Sequence, residues 1–455
     1  MKRFLRPTKR TLALFAVTIG SSIAILDASI VNLALPAVAK DLTASFSVQQ
    51  WIADAYLLSL SALILLGGSL GDIFGRKRAY LVGVAGFGIS SVVCALAPNA
   101  EMLIAARVLQ GMFGALMVPG ALAIINTNFP KDERGRAIGH WTAWSSIAVV
   151  AAPFLAGSIL ATGGWRWIFL VNIPLSAVCF AMTLRAARES SDQRVRRIDG
   201  IGAALVTVAL GGLTYGLIEG PVQAWSMVTI GSLIVGLLAL VAFVLWEKRS
   251  RDPMIRLSLF RSRAFSGANL MTFLMYGALG GFSFILAIHL QSALHYTAFQ
   301  AGMSLLPISL CLLLFSGWVG SLSAKYGPRF FMTAGPMIAA AGIALLYSIQ
   351  PDTQYVIGVL PGILLFSIGL SLLVSPLTTT VMLSVDESAS GIASGVNNAV
   401  ARAAGLIVIA VLGLFGANEA YPFAIVLCAA LAALGGIISF LTIPKAIKPH
   451  APPRQ

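Results

Sequence analysis

Charge is scarce in this sequence. Only 11% of its 455 residues are Asp, Glu, Lys or Arg, while 58% are hydrophobic. A soluble fold of this length needs more polar residues to cover its surface, so a soluble globular protein is excluded. Histidine is scarce too. His140 sits at the inner edge of an apolar run, His289 and His295 near an outer edge and His450 in the C-terminal tail, so no metal-ligand set forms. The four cysteines, Cys94, Cys179, Cys311 and Cys428, all lie inside apolar runs without ligand spacing, which reads as packing and not as a disulfide framework. The glycine-rich stretches lack GxxxxGK[ST], which argues against ATP as an energy source. Paired acids, His clusters and Ser nucleophile motifs are missing, which speaks against an intramembrane enzyme. No loop is long enough for the soluble domain that a receptor or sensor would need.

What is present is a succession of apolar runs of roughly 20 residues, the length that crosses a bilayer core. Fourteen are read, from 12–37 to 421–443. The least distinct are 201–219 and 226–246, separated only by a six-residue Gly220–Trp225 stretch, and twelve is the count if that pair does not cross. The basic N-terminus leads straight into the first run, which reads as a retained helix and not a removable signal.

Net charge is +14. The bases sit in loops between apolar spans and not on one folded face, so nucleic acid is not an expected partner. One alternating set of loops, with both termini, holds 27 of the 31 Lys and Arg residues. Positive loops stay cytoplasmic, so both termini are expected inside. Contact of these loops with anionic lipids is also expected.

Gly68-Ser-Leu-Gly-Asp-Ile-Phe-Gly-Arg-Lys77 recurs as Gly320-Ser-Leu-Ser-Ala-Lys-Tyr-Gly-Pro-Arg329. Both copies follow the second span of a six-span group. The domain reading is therefore a six-helix bundle over 1–190, two additional helices over 191–262 and a second six-helix bundle over 263–455. Parallel repeats of this kind are the plan of major facilitator transporters.

Further motifs sharpen that likeness. They are Leu26-Asp-Ala-Ser-Ile-Val-Asn-Leu-Ala-Leu-Pro36, Arg107-Val-Leu-Gln-Gly111 with Gly114 beyond it, Trp165-Arg-Trp-Ile-Phe-Leu-Val-Asn-Ile-Pro174 and Asp252-Pro-Met-Ile-Arg-Leu-Ser-Leu-Phe260. Taken in order, they resemble the fourteen-helix drug:proton antiporter family of the major facilitator superfamily over essentially the whole chain. The resemblance implies an all-α integral membrane fold in the bacterial inner membrane and proton-driven efflux of amphipathic, monocationic or neutral drugs. It implies no cofactor, and a monomer is expected. The alternative on the same fold is a dedicated exporter of one metabolite, antibiotic or lipid. One departure concerns the fifth helix. The family's spaced glycines are Ala148, Ala152 and Ala156 here, while Pro153 and Gly157 of the antiporter kink remain. No acid lies mid-span between 265 and 443, which argues against divalent cations as preferred cargo.

Ionisable groups in a bilayer are expensive, so those inside spans are the first functional candidates. Asp27 lies well inside the first span and Arg107 inside the fourth, at depths that differ by roughly 6 Å on a rise of ~1.5 Å per residue. Burial favours the protonated form of a carboxyl and a nearby cation the ionised form, so the two read either as communicating, directly or through water, during proton uptake or as a purely structural ion pair. Asp54, near the mouth of span two, reads either as a further proton relay or as a solvated acid. By resemblance, Gly71, Asp72, Gly75, Arg76 and Lys77 form a conformational gate. Asn32, Trp141, Trp144, Tyr276, Phe284 and Arg402 are candidate cavity residues, beside Phe273 and Phe282 on the same spans. Glu219 falls outside the two bundles.

Overall fold

The computed structural model describes residues 8–191, 198–250, 252–350, 352–386 and 390–445. Among them there is no β-strand. The helices are α1 Lys9–Asp41, α2 Phe46–Phe74, α3 Arg76–Ala95, α4 Ala100–Asn128, α5 Lys131–Thr162, the pair α6 Arg166–Leu170 and α7 Asn172–Ala186, α8 Gly200–Val222 and α9 Met227–Arg249. They continue with α10 Arg263–Ser292, α11 Ala298–Tyr326, α12 Pro328–Leu345, α13 Leu360–Leu383, α14 Ser390–Leu412 and α15 Gly416–Thr442. Thirteen stretches among the described residues are long and apolar enough to cross a membrane, α6 and α7 counting as one. The 32-residue α5, whose Ala151–Thr162 part is apolar, makes a fourteenth helix of spanning length. Every apolar run read from the sequence is a helix, the indistinct pair 201–219 and 226–246 included.

Helix is the form that satisfies each backbone N–H and C=O inside hydrocarbon. Polar residues set the ends: Thr8, Ser45, Asn99, Ser226 and Ser262 accept N–H groups of the first turns, and Thr297 with Gln300 forms a reciprocal capping box at α11. Large apolar side chains such as Ile89, Met227 and Trp318 point outward. On a soluble protein that surface would aggregate; in a bilayer it meets lipid.

The chain divides into two compact units, Met1–Thr207 and Val208–Gln455. The division falls within α8. In the first unit α4 packs on α2 and α3, and α1 packs on α5 and α7. The α2–α4 crossing is close: a Cβ on Gly111 would collide with the Tyr56 carbonyl and the Ser59 hydroxyl of α2. Ala148, Ala152 and Ala156 of α5 are buried, as are Pro153 and Gly157. In the second unit α13 packs on α12 and α11, and α10 packs on α14 and α15. Substituting α10–α15 for α1–α7 reproduces the same pairings.

The repeat extends to the backbone. Gly75 ends α2 at φ 109° and Gly327 ends α11 at φ 88°. Both occupy the eighth position of the repeated stretch, and both adopt a conformation that L side chains rarely enter.

Candidate functional site

In the first unit five helical segments converge on one polar cluster. Asp27 of α1 and Arg107 of α4 are 2% and 1% exposed, and they form a direct ion pair between Asp27 Oδ2 and a terminal guanidinium nitrogen. The same nitrogen donates to Gln110 Oε1 at 2.7 Å, one turn along α4. Arg107 Nε donates to the Ile52 carbonyl of α2 at 3.2 Å, and the guanidinium lies 4.5 Å from the Tyr56 ring centroid. Arg107 is thus placed by α2 as well as by its acid.

The second carboxylate oxygen, Asp27 Oδ1, accepts from Asn172 Nδ2 at 3.0 Å and from Gln110 Nε2 at 3.4 Å. Ser91 of α3 ties these amides together, accepting from Gln110 at 2.8 Å and from Asn172 at 3.4 Å. Cys94 donates to Gln110 Oε1 at 3.3 Å. Asn172 opens α7 beside the break between α6 and α7. Pro174 follows two residues on, and its missing N–H and its ring disfavour a continuous helix there. Packing of α1 on α7 brings Asn172 to Asp27, 145 residues apart in sequence.

The cluster sets one buried charge against another. With Asp27 ionised, Arg107 and two amides answer its charge. Removing either side chain would strand the other charge in the interior, a loss on the order of 3–5 kcal/mol.

Asp54 stands apart from this cluster. The carboxyl is fully buried, which corrects its reading as a solvated acid at the mouth of span two, because α2 begins at Phe46, some two turns earlier. Neither carboxylate oxygen has a hydrogen-bond partner among the described residues. A two-residue spacing turns Asp54 about 200° round α2 from Ile52 and Tyr56, which both meet Arg107.

At the end of α2, Asp72 accepts from Arg76 Nε at 2.7 Å. The segment after α7 adds Glu189, which accepts the backbone N–H of Lys77 at 3.0 Å and of Arg78 at 3.2 Å, while Lys77 Nζ donates to the Leu184 carbonyl at 2.8 Å. Gly71 and Gly75 lie in the same turn.

The candidate cavity residues scatter. Trp141 Nε1 donates to Ser21 at 3.0 Å, and Trp144 is exposed and meets Phe15 edge to face. Asn32, Phe273, Tyr276 and Arg402 are half-buried. Phe284 is fully buried, and this corrects its place on a cavity wall: a side chain without exposed surface offers none to cargo. Phe282 packs 4.7 Å from Phe366. Sequence reasoning missed Gln110, Asn172, Ser91 and Glu189. Gln110 and Asn172 lie within the quoted motifs, whereas nothing local marks Ser91 or Glu189.

Long apolar helices in two repeated units, with a closed ion pair inside one of them, define a multi-pass membrane transporter. Residues 17–410 match the family model of the Major Facilitator Superfamily, and the chain belongs to that family. It is 35% identical over 404 residues to "Multidrug resistance protein Stp" of Mycobacterium tuberculosis (strain CDC 1551 / Oshkosh), covering 88% of this chain and 75% of that protein. It is 31% identical over 409 residues to the "Tetracenomycin C resistance and export protein" of Streptomyces glaucescens, covering 89% and 76%. Among solved structures, a POT family transporter in complex with 5-aminolevulinic acid superposes with a TM-score of 0.75 over 98% of both chains, at 16% identity. That likeness concerns the fold. The homologues are multidrug and antibiotic resistance transporters.

Proposed function

We propose that this chain is a proton-coupled exporter of amphipathic, monocationic or neutral drugs, working by alternating access. The observation that carries the reading is the closed Asp27–Arg107 pair, held by donors from α4 and α7 in the interior of one repeat unit. Asp27 takes a proton from outside, the pair opens, and release of that proton inside returns the carrier. The buried, unpartnered Asp54, apart from that pair on α2, is a second proton-carrying carboxyl in this reading. The turn holding Gly71, Asp72, Gly75, Arg76 and Lys77 is the conformational gate, since Asp72–Arg76 braces the α2–α3 junction and Glu189 and Lys77 tie it to the end of α7. The Pro153–Gly157 stretch of α5 supplies the kink. Asn32, Trp141, Trp144, Tyr276 and Arg402 are the accessible or half-buried residues that would meet cargo. The driving force is the proton gradient, without a cofactor. The setting is a bacterial inner membrane with both termini cytoplasmic, and the chain acts as a monomer.

Relatives named for single antibiotics favour a second reading, a dedicated exporter of one antibiotic or metabolite. Ethidium efflux from energised cells tests the first. Loss of efflux both with a protonophore and in Asp27→Asn supports it; efflux that survives the protonophore overturns it. A susceptibility panel with one protected compound favours the dedicated exporter.

A further inference from the structure

The two copies of the repeated loop answer their positive charge differently. In the first, Asp72 pairs with Arg76, and Glu189 accepts two backbone N–H groups and lies 3.8 Å from Arg78 Nε. Glu189 stands three residues past the end of α7. In the second copy the position of Asp72 is Ala324, and the residue three past the end of α15 is Lys445. An acid has become neutral and another has become a base. Lys325, Arg329 and Lys445 form no ion pair among the described residues.

A cavity of about 700 Å³ opens there, lined by Tyr326, Arg329, Phe330, Thr333, Phe440 and Lys445 among others. Two of its polar atoms, Arg329 Nε and Thr333 Oγ1, are buried without a hydrogen-bond partner. The Arg329 guanidinium sits 4.4 Å from the Phe440 ring centroid. Tyr326, Phe330, Phe440 and Leu441 are all more than half exposed, at the ends of their spans. Cations and a hydroxyl call for an oxyanion with several acceptor oxygens. Exposed aromatic rings at a span end call for an apolar body at the membrane interface.

We propose that this cavity binds the phosphate of an anionic phospholipid, with Arg329, Lys445 and Thr333 on the headgroup and the acyl chains along Phe330, Phe440 and Leu441. Free phosphate would satisfy the cations but leave the exposed apolar wall uncovered. A zwitterionic lipid would bring its own cation against Arg329 and Lys445. The lipid supplies from outside the negative charge that Asp72 and Glu189 supply from within in the first unit.

The test uses the full chain in phosphatidylglycerol or phosphatidylcholine nanodiscs, extracted into detergent, with retained lipid counted by native mass spectrometry. The wild type should retain one phosphatidylglycerol and no phosphatidylcholine. Lys445→Glu rebuilds the acid seen at Glu189, and retention should weaken at least roughly tenfold; Lys445→Ala should weaken it about fivefold, and Thr333→Val less. Phosphatidylglycerol should raise the melting temperature of the wild type and not of Lys445→Glu, which also reports that this exposed substitution folds. Equal retention by wild type and both Lys445 variants overturns the proposal, as does equal retention of phosphatidylcholine. Stabilisation by inorganic phosphate equal to that by the lipid assigns the site to a free anion and overturns the lipid.

Discussion

The two units share helix pairings and differ in what they place at equivalent seams. Where α1 meets α4, the first unit holds an ion pair sealed by amides. Where α10 meets α13, the second holds the phenyl rings of Phe282 and Phe366, 4.7 Å apart. An aromatic contact weakens gradually as atoms are removed. A buried ion pair does not, because removing one partner strands the other charge. The first seam thus depends on both of its partners at once, whereas the second loosens by degrees.

The largest expected effect breaks that contrast at the ion pair. Arg107→Ala leaves Asp27 buried with only amide donors and should destabilise the protein by about 3–5 kcal/mol, read as a large drop in melting temperature. The double variant Asp27→Asn with Arg107→Gln should recover most of that stability and yet show no proton-driven efflux. If the double loss equals the sum of the single losses, the pair is not coupled.

Next are the glycines that end the repeated stretch. Gly75→Ala and Gly327→Ala each force a side chain into positive φ, which should cost about 1–3 kcal/mol. At Gly75 the new Cβ would also push on the Glu189 carboxylate, so the first-unit variant should lose more transport than the second. Equal transport losses would sink the idea that the first copy alone is tied shut by an acid. Smaller again is Phe282→Leu, at about 1–2 kcal/mol, with efflux and its proton dependence retained.

Much of this was legible before the fold. Spans follow from length and hydropathy, because a bilayer demands both. Asp27 and Arg107 declared themselves by being ionisable inside apolar runs, and the depth estimate already let them meet. Gln110, Ser91 and Asn172 did not, since neutral polar residues are common in membrane helices and only tertiary packing turns them toward one carboxylate. Asp54 was placed too near the surface because helix ends cannot be read to the residue. The burial of Phe284 was hidden for another reason: a helix apolar on all sides gives no clue to which face is enclosed. Glu189 lies far along the chain from the loop it caps, so no local pattern marked it.

The smallest expected effect tests the loops. Glu189→Gln keeps one carbonyl oxygen for the N–H of Lys77 or Arg78 but turns the other acceptor into a donor, stranding one N–H at the start of α3. About 1 kcal/mol should be lost, the net worth of an ordinary hydrogen bond. The ion pair with Arg78 adds little, because that arginine is well exposed and such pairs contribute about 0–1 kcal/mol. Lys445→Gln, at the matching place past α15, removes a charge that pairs with nothing in the described chain and should leave the delipidated protein's melting temperature unchanged or slightly raised. A fall as large as that of Glu189→Gln would mean that Lys445 is held by the protein itself. A fall confined to Glu189→Gln would mean that one loop carries its counter-charge and the other leaves it to be supplied.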